Sequence, residues 1–184
     1  MDNIPLYLFA ALLLAQAAGE YAAMLRTRTL RRKHKREWTY YAVVIPFKAM
    51  IAASIVEHVS SQTQPSVSAV IAGSLLAAGG VIVRVRGHLE LNGAFSQYVE
   101  KSAGQKLVQS GMYVKIRHPM YVGSILLFIG MPLVIGATWA WIFSVLGMVG
   151  IIIRIRKEEA FLTKELAGYR EYAQRTWRLL PYVY

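Results

Sequence analysis

Apolar residues in this chain gather into long blocks instead of alternating with polar ones. Ile4 to Leu25, Trp38 to Val56 and Val67 to Val85 each approach the ~20 residues that a helix needs to cross ~30 Å of hydrocarbon. Pro119 to Ile153 carries no charge at all. As a helix it would run ~50 Å, too long for one crossing and only just enough for two. A tight helical hairpin is the economical solution, with Gly136-Ala137-Thr138 at its tip, Pro132 bending its first arm, and Trp139 and Trp141 near an interface. The pattern predicts an all-α, multi-pass membrane protein with five transmembrane helices, the last two forming the hairpin.

Charge sets the expected orientation. Arg26, Arg28, Arg31, Arg32, Lys33, Lys35 and Arg36 follow the first block directly, and the positive-inside rule sends such a stretch to the cytoplasm. The loop from His58 to Ser66 has no basic residue other than that histidine and suits the outer face. Arg84 to His118 is basic again, as is the tail from Arg154 to Tyr184. Five spans with the N-terminus outside and the C-terminus cytoplasmic satisfy every loop at once. A cleaved signal peptide, with Ala15-Gln16-Ala17 as its small-residue site, is the weaker reading, because the leading segment holds Asp2 and no basic residue.

Composition narrows the chemistry. The 184 residues are 55% hydrophobic, too apolar for an ordinary soluble core. The absence of cysteine excludes disulfides, thiolate nucleophiles and cysteine metal sites. His34, His58 and His88 lack ligand spacing, so no metal site is expected. A net charge of +11 raises nucleic acid as a partner, but the basic residues lie between apolar blocks, and anionic membrane lipids account for them better. Lys48, about mid-helix in the second block, is costly in lipid, so it either faces a cavity as a substrate contact or snorkels or pairs with Glu20 or Glu57 as a structural lysine. Gly79 and Gly80 are packing points among the small residues of the third block.

Two polar clusters stand out. Leu107 to Gly123 ends in Arg117-His118-Pro119-Met120-Tyr121-Val122-Gly123, where a loop enters the fourth span. It offers hydrogen-bond donors, an aromatic face and unpaired helix N-terminal amides to a polar ligand, or equally an interfacial anchor with a helix-starting proline. Arg154-Ile155-Arg156-Lys157-Glu158-Glu159 lies where the fifth span leaves the membrane. If the last two spans form a hairpin, His118 and Arg154 return to one membrane face. Further on, Leu162, Leu166, Tyr169, Ala173 and Trp177 recur every three or four residues, one apolar stripe for packing.

The order and spacing of these pieces resemble the isoprenylcysteine carboxyl methyltransferase and phospholipid methyltransferase superfamily of integral membrane enzymes. Its hallmark Leu-Val-x-x-Gly-x-Tyr-x-x-x-Arg-His-Pro-x-Tyr-x-Gly is matched by Leu107 to Gly123. Its Arg-x-x-x-Glu-Glu-x-x-Leu is matched by Arg154, Glu158, Glu159 and Leu162, and its late Gly, Tyr and Pro by Gly168, Tyr172 and Pro181. Between Leu162 and Gly168 the spacing departs by one residue from some relatives. Length, hydropathy and charge give a single integral membrane domain over residues 1–184, with three spans and a basic loop in 1–86, and upstream the resemblance extends only to hydrophobic spans. In 87–184 lie the hairpin, a cytoplasmic C-terminal helix and the loop that the resemblance makes cofactor-binding. The resemblance implies S-adenosylmethionine as cofactor, contacted by Gln105, Lys106, Leu107, Val108, Tyr113, His118, Pro119, Met120, Tyr121 and Glu158. Arg154 then lies near the acceptor group, and His118 and Arg154 are the candidate catalytic residues.

The activity implied is methyl transfer to a lipid-like or prenylated acceptor at the cytoplasmic membrane face, carboxyl methylation being favoured and phospholipid N-methylation the alternative. An NADPH-dependent membrane reductase, by analogy with sterol reductases, and a non-catalytic basic protein binding anionic lipid are the readings from other classes. Oligomeric state has no signature in the sequence.

Overall fold

A computed structural model describes residues 3–27, 37–61, 64–91 and 107–182. Within them the chain forms α1 (Ile4–Arg26), α2 (Trp38–Ser61), α3 (Val67–Leu91), α4 (Pro119–Ile135), α5 (Ala140–Glu165) and α6 (Tyr169–Gln174), with a 3-10 turn at Gly111–Val114 ahead of α4. α3 thus continues past residue 86 to Leu91. The basic stretch from Arg28 to Arg36 lies outside the described residues.

α1, α2 and α3 are each long and apolar enough to cross a membrane, and α4 is a shorter apolar helix of 17 residues. Large apolar side chains stand exposed along these helices, Leu14 and Leu75 among them at 70% each. Water would oppose such a surface and hydrocarbon matches it, so the chain is an integral membrane protein. The uncharged part of α5 ends at Ile153, and the helix then runs on as a charged extension to Glu165.

α3 packs mainly on α4, α2 on α5, and α1 on α3. The α3–α4 contact depends on reciprocal glycines. A Cβ on Gly73 would meet Gly130 O at 2.8 Å, and one on Gly130 would meet Gly73 O at 2.7 Å; Gly80 and Gly123 form the same relation at 2.7 and 2.6 Å. Backbones this close gain dispersion along two antiparallel helices without any hydrophobic drive from lipid. Gly80 is therefore the packing point expected of it. Gly79 is not: a Cβ there meets nothing within 4 Å.

The hairpin forms where it was expected. Gly136 closes α4 in the left-handed region at φ +70°, and the Ala137 amide donates to Pro132 O at 3.0 Å. Glu57 of α2 then accepts from the Thr138 and Trp139 amides at 2.7 and 2.9 Å, capping the start of α5 from a neighbouring helix.

Glu57 is thereby engaged, and Glu20 is engaged too. Its carboxylate faces Arg84 Nε at 2.9 Å and His88 Nδ1 at 3.3 Å, while Thr27 Oγ1 lies 3.2 Å from His88 Nε2 and Arg84 also reaches Ser124 Oγ. Lys48 pairs with neither proposed partner and is exposed at mid-α2. His88, one of the scattered histidines, is fully buried within this network, which ties α1, α3 and α4 together. These contacts gather the ends of α1 and α3 and the start of α4 at one end of the bundle, opposite the hairpin tip.

Candidate active site

At that end Pro119 occupies the first turn of α4, where a missing N–H costs nothing, and His118 is the cap whose carbonyl accepts from the Tyr121 amide at 3.0 Å. One helical turn places Tyr121 beside His118, with ring centroids 5.5 Å apart. From the other arm of the hairpin, Arg154 Nε donates to the Tyr121 hydroxyl at 2.7 Å, and that hydroxyl donates to Glu158 Oε2 at 2.8 Å. The two clusters do converge, and a phenol joins them. Arg154 and Glu158 are one helical turn apart on α5, so a single tyrosine spans both.

α2 contributes more than its sequence indicated. Thr39 is fully buried and accepts from Arg154 Nη1 at 3.2 Å; Lys157 pairs with Glu37 and lies over the Trp38 ring at 5.5 Å. The first turn of α2 thus fixes the charged extension of α5.

A second group is built on Glu159. Its Oε1 accepts from Arg117 Nε at 2.7 Å and lies 3.3 Å from His118 Nε2, and its Oε2 accepts from Arg178 Nε at 2.8 Å. Burial alone would raise this carboxyl, but the hydrogen bonds from His118, Arg117 and Arg178 overcome it and bring the pKa down to about 2. Arg117 also donates to Ala173 O at 2.8 Å and to Thr176 O. Residues 115–118 and 177–178 pair in parallel: Arg117 N to Trp177 O at 2.8 Å, His118 N to Arg178 O at 3.0 Å, and Trp177 N to Lys115 O at 3.0 Å. The C-terminal segment is stitched to the loop that enters α4.

The wall ahead of α4 is equally pinned. The Met112 amide donates to Glu90 Oε2 at 2.7 Å, Tyr113 OH donates to Gly87 O at 3.3 Å, and Tyr172 OH donates to Tyr113 O at 2.7 Å. Burial pushes the Tyr172 phenol up to about 12 and that of Tyr113 beyond the usual range, so both stay neutral donors. Gly168, at φ +79°, breaks the helix between Glu165 and Tyr169, so the apolar stripe expected from Leu162 to Trp177 does not lie on one continuous helix. Its Tyr169 is buried at 3% exposure, with a hydroxyl that has no hydrogen-bond partner among the described residues.

Of the expected cofactor residues, Tyr113, His118, Pro119 and Met120 are buried and Tyr121 is half-buried, at this end of the bundle with Glu158. Leu107 and Val108 are half-buried, Leu107 lying nearest the start of α6. Gln105 and Lys106 lie outside the described residues. Missed from sequence were the anchoring roles of Arg117 and Glu159, together with Arg178, Thr39 and Tyr169. Arg117 and Glu159 adjoin expected site residues, which is the one signal that was present.

The fold and the site together define a helical membrane protein whose buried polar cluster joins a loop, a hairpin base and a C-terminal clasp. The family model described as phospholipid methyltransferase matches residues 68–168, more than half of the chain. The chain belongs to the phospholipid methyltransferase family and is a membrane methyltransferase. Among solved structures it is similar to that of the eukaryotic intramembrane Ras methyltransferase, isoprenylcysteine carboxyl methyltransferase, with a TM-score of 0.72 at 20% identity. The alignment covers 100% of this chain and 68% of that one, a likeness of fold. No curated protein matches the chain.

Proposed function

We propose that this enzyme transfers the methyl group of S-adenosylmethionine to a lipophilic acceptor, a carboxylate being favoured, at the cytoplasmic face of a membrane that it crosses five times. The observation that carries the reading is the Arg154–Tyr121–Glu158 chain of hydrogen bonds, with His118 against the same tyrosine ring. It unites a cation for an acceptor with a carboxylate and aromatic rings for a donor, beside the apolar faces through which a lipid chain would arrive.

The residues present fit such a donor. Glu158 is half-buried, with Oε2 held by Tyr121 and Oε1 without a hydrogen-bond partner among the described residues, a ready acceptor for hydroxyl or ammonium protons. Tyr113 and Tyr121 supply π-faces, which attract a cation, and His118 holds the polar tail. Bound there, S-adenosylmethionine supplies an electrophilic methyl group on sulfur. The protein's part is alignment and exclusion of water, because transfer from a sulfonium requires an in-line nucleophile and little else. A carboxylate acceptor is already a nucleophile, and Arg154 orients it through charge-assisted hydrogen bonds. An amine acceptor, such as the family description brings to mind, needs a proton acceptor, and His118 backed by Glu159 is the group for that.

Titration calorimetry in detergent tests the donor: S-adenosylmethionine and S-adenosylhomocysteine should bind and NADPH should not. Labelled methyl transfer to lipid extracts then separates the acceptors. A product whose label is released by mild base is a methyl ester, whereas a base-stable label marks N-methylation and overturns the carboxyl reading. Absence of binding by either sulfur ligand removes the donor assignment.

A further inference from the structure

Tyr169 opens α6 directly after Gly168, where a Cβ would lie 3.9 Å from Leu107 Cδ2. It therefore stands beside the segment whose Leu107 and Val108 are expected at the donor. Its ring meets Tyr172 edge-on at 5.9 Å, and Tyr172 is itself tied to Tyr113 O at 2.7 Å, so the Tyr169 ring is held between pinned elements. The residue is 3% exposed, and its hydroxyl has no hydrogen-bond partner among the described residues. A buried phenol left unsatisfied destabilises the free protein. A phenylalanine would avoid that cost with the same packing.

We propose that the Tyr169 hydroxyl is a donor-binding group, hydrogen-bonding to a ribose hydroxyl of the S-adenosyl ligand. This rests on the donor assignment above. Burial, with Glu159 and Glu158 adding to it against Arg117, pushes the Tyr169 phenol above its ordinary range, so it is a neutral hydroxyl able to donate or accept. Glu159 is already engaged by Arg117, His118 and Arg178, so the capacity left for a ligand is that of Glu158, which favours a group that can donate. A hydroxyl can donate to Glu158 and accept from Tyr169 at once, which is the dual capacity this position requires. The role separates Tyr169 from Tyr172, whose hydroxyl is spent on the protein's own backbone.

Tyr169→Phe tests it by two readouts with opposite expectations. In the ligand-free protein the melting temperature in detergent should stay equal or rise, because an unsatisfied hydroxyl has been removed. Calorimetric affinity for S-adenosylhomocysteine should fall roughly five- to ten-fold, the worth of one hydrogen bond. The 2′,3′-dideoxyribose analogue of that ligand should bind wild type and Tyr169→Phe equally. Unchanged affinity for S-adenosylhomocysteine overturns the assignment while leaving the methyltransferase reading intact, as does a lowered melting temperature in the free variant. A loss that persists with the dideoxy analogue overturns the ribose as its target. Failure of wild type to bind S-adenosylhomocysteine is the separate outcome in which the donor assignment falls and this one with it.

Discussion

Glutamates serve both ends of the hairpin of α4 and α5, one from α2 at the tip and two from α5 at the base, and they are used differently. At the tip, Glu57 gives both oxygens to backbone amides, those of Thr138 and Trp139. At the base, Glu159 gives both oxygens to the side chains of Arg117, His118 and Arg178. Its neighbour Glu158 gives one oxygen to Tyr121 and keeps the other without a protein hydrogen bond among the described residues. A carboxylate saturated by the fold holds the fold, and one left with capacity is available to a ligand. Adjacent residues on one helix thus divide into scaffold and site.

The division predicts how each end fails, beginning with the chemistry. Arg154→Ala should lower acceptor turnover by about a hundredfold or more, ~3 kcal/mol in the barrier, with S-adenosylhomocysteine affinity nearly unchanged. Equal losses in both, measured by methyl transfer and calorimetry, would take Arg154 away from the acceptor. Thr39, which accepts from the same guanidinium, should show a weaker form of that split on substitution by alanine and recovery on substitution by serine.

Glu159→Gln should act on stability instead. Three cationic or hydrogen-bonding partners lose their anion, which costs about 2–3 kcal/mol for a pair at the buried edge of the site. Proteolysis should then cut first near Thr176, where the C-terminal segment is stitched to the α4 entry. The pH dependence has a fixed sign. A carboxyl brought down to about 2 from an ordinary value of 4.5 contributes stability that is complete above 4.5 and is lost as pH falls toward 2. Acid denaturation curves of wild type and Glu159→Gln should accordingly converge over that window; parallel curves would remove Glu159 as the anchor.

Glu158→Ala should change stability by no more than about 0.5 kcal/mol, as expected of a partly exposed site, while donor affinity falls about tenfold. A large stability loss would show that Glu158 is scaffold like its neighbour.

Much of this arrangement was readable beforehand, for identifiable reasons. Gly136 at the middle of an uncharged run announces a turn, and once the turn is fixed His118 and Arg154 must come back to one end of the bundle. That Arg154 and Glu158 share one face of α5, where a single tyrosine spans both, follows from periodicity alone. The rest depends on residues remote in sequence. Nothing periodic marks the parallel pairing of Ile116 with Trp177, because two or three paired residues are too few to show a pattern. Arg117 reads as a positive-inside anchor until Ala173 and Thr176 carbonyls are seen beside it. Glu20 reads as a partner for Lys48, Arg84 as the start of a basic stretch and His88 as a scattered histidine, yet they form one network that reaches Ser124 across three helices. The stripe through Tyr169 has helical spacing, yet Gly168 turns the chain, and that tyrosine opens a separate short helix, buried against Tyr172.

The smallest expected effect lies at the hairpin's other end. Glu57→Ala removes a cap from α5 and leaves the Thr138 and Trp139 amides without their acceptor, a cost of about 1–2 kcal/mol. The tip is separated from Arg154 by the whole apolar length of α5, so donor affinity and turnover should keep their wild-type values at temperatures where the variant is folded. Glu57→Gln sharpens the same point: the amide oxygen accepts from one backbone N–H where the carboxylate accepted from two, so its melting temperature should fall between those of wild type and Glu57→Ala. If either variant loses activity while still folded, the two ends of the hairpin are coupled, and the separation of scaffold from site along α5 does not hold.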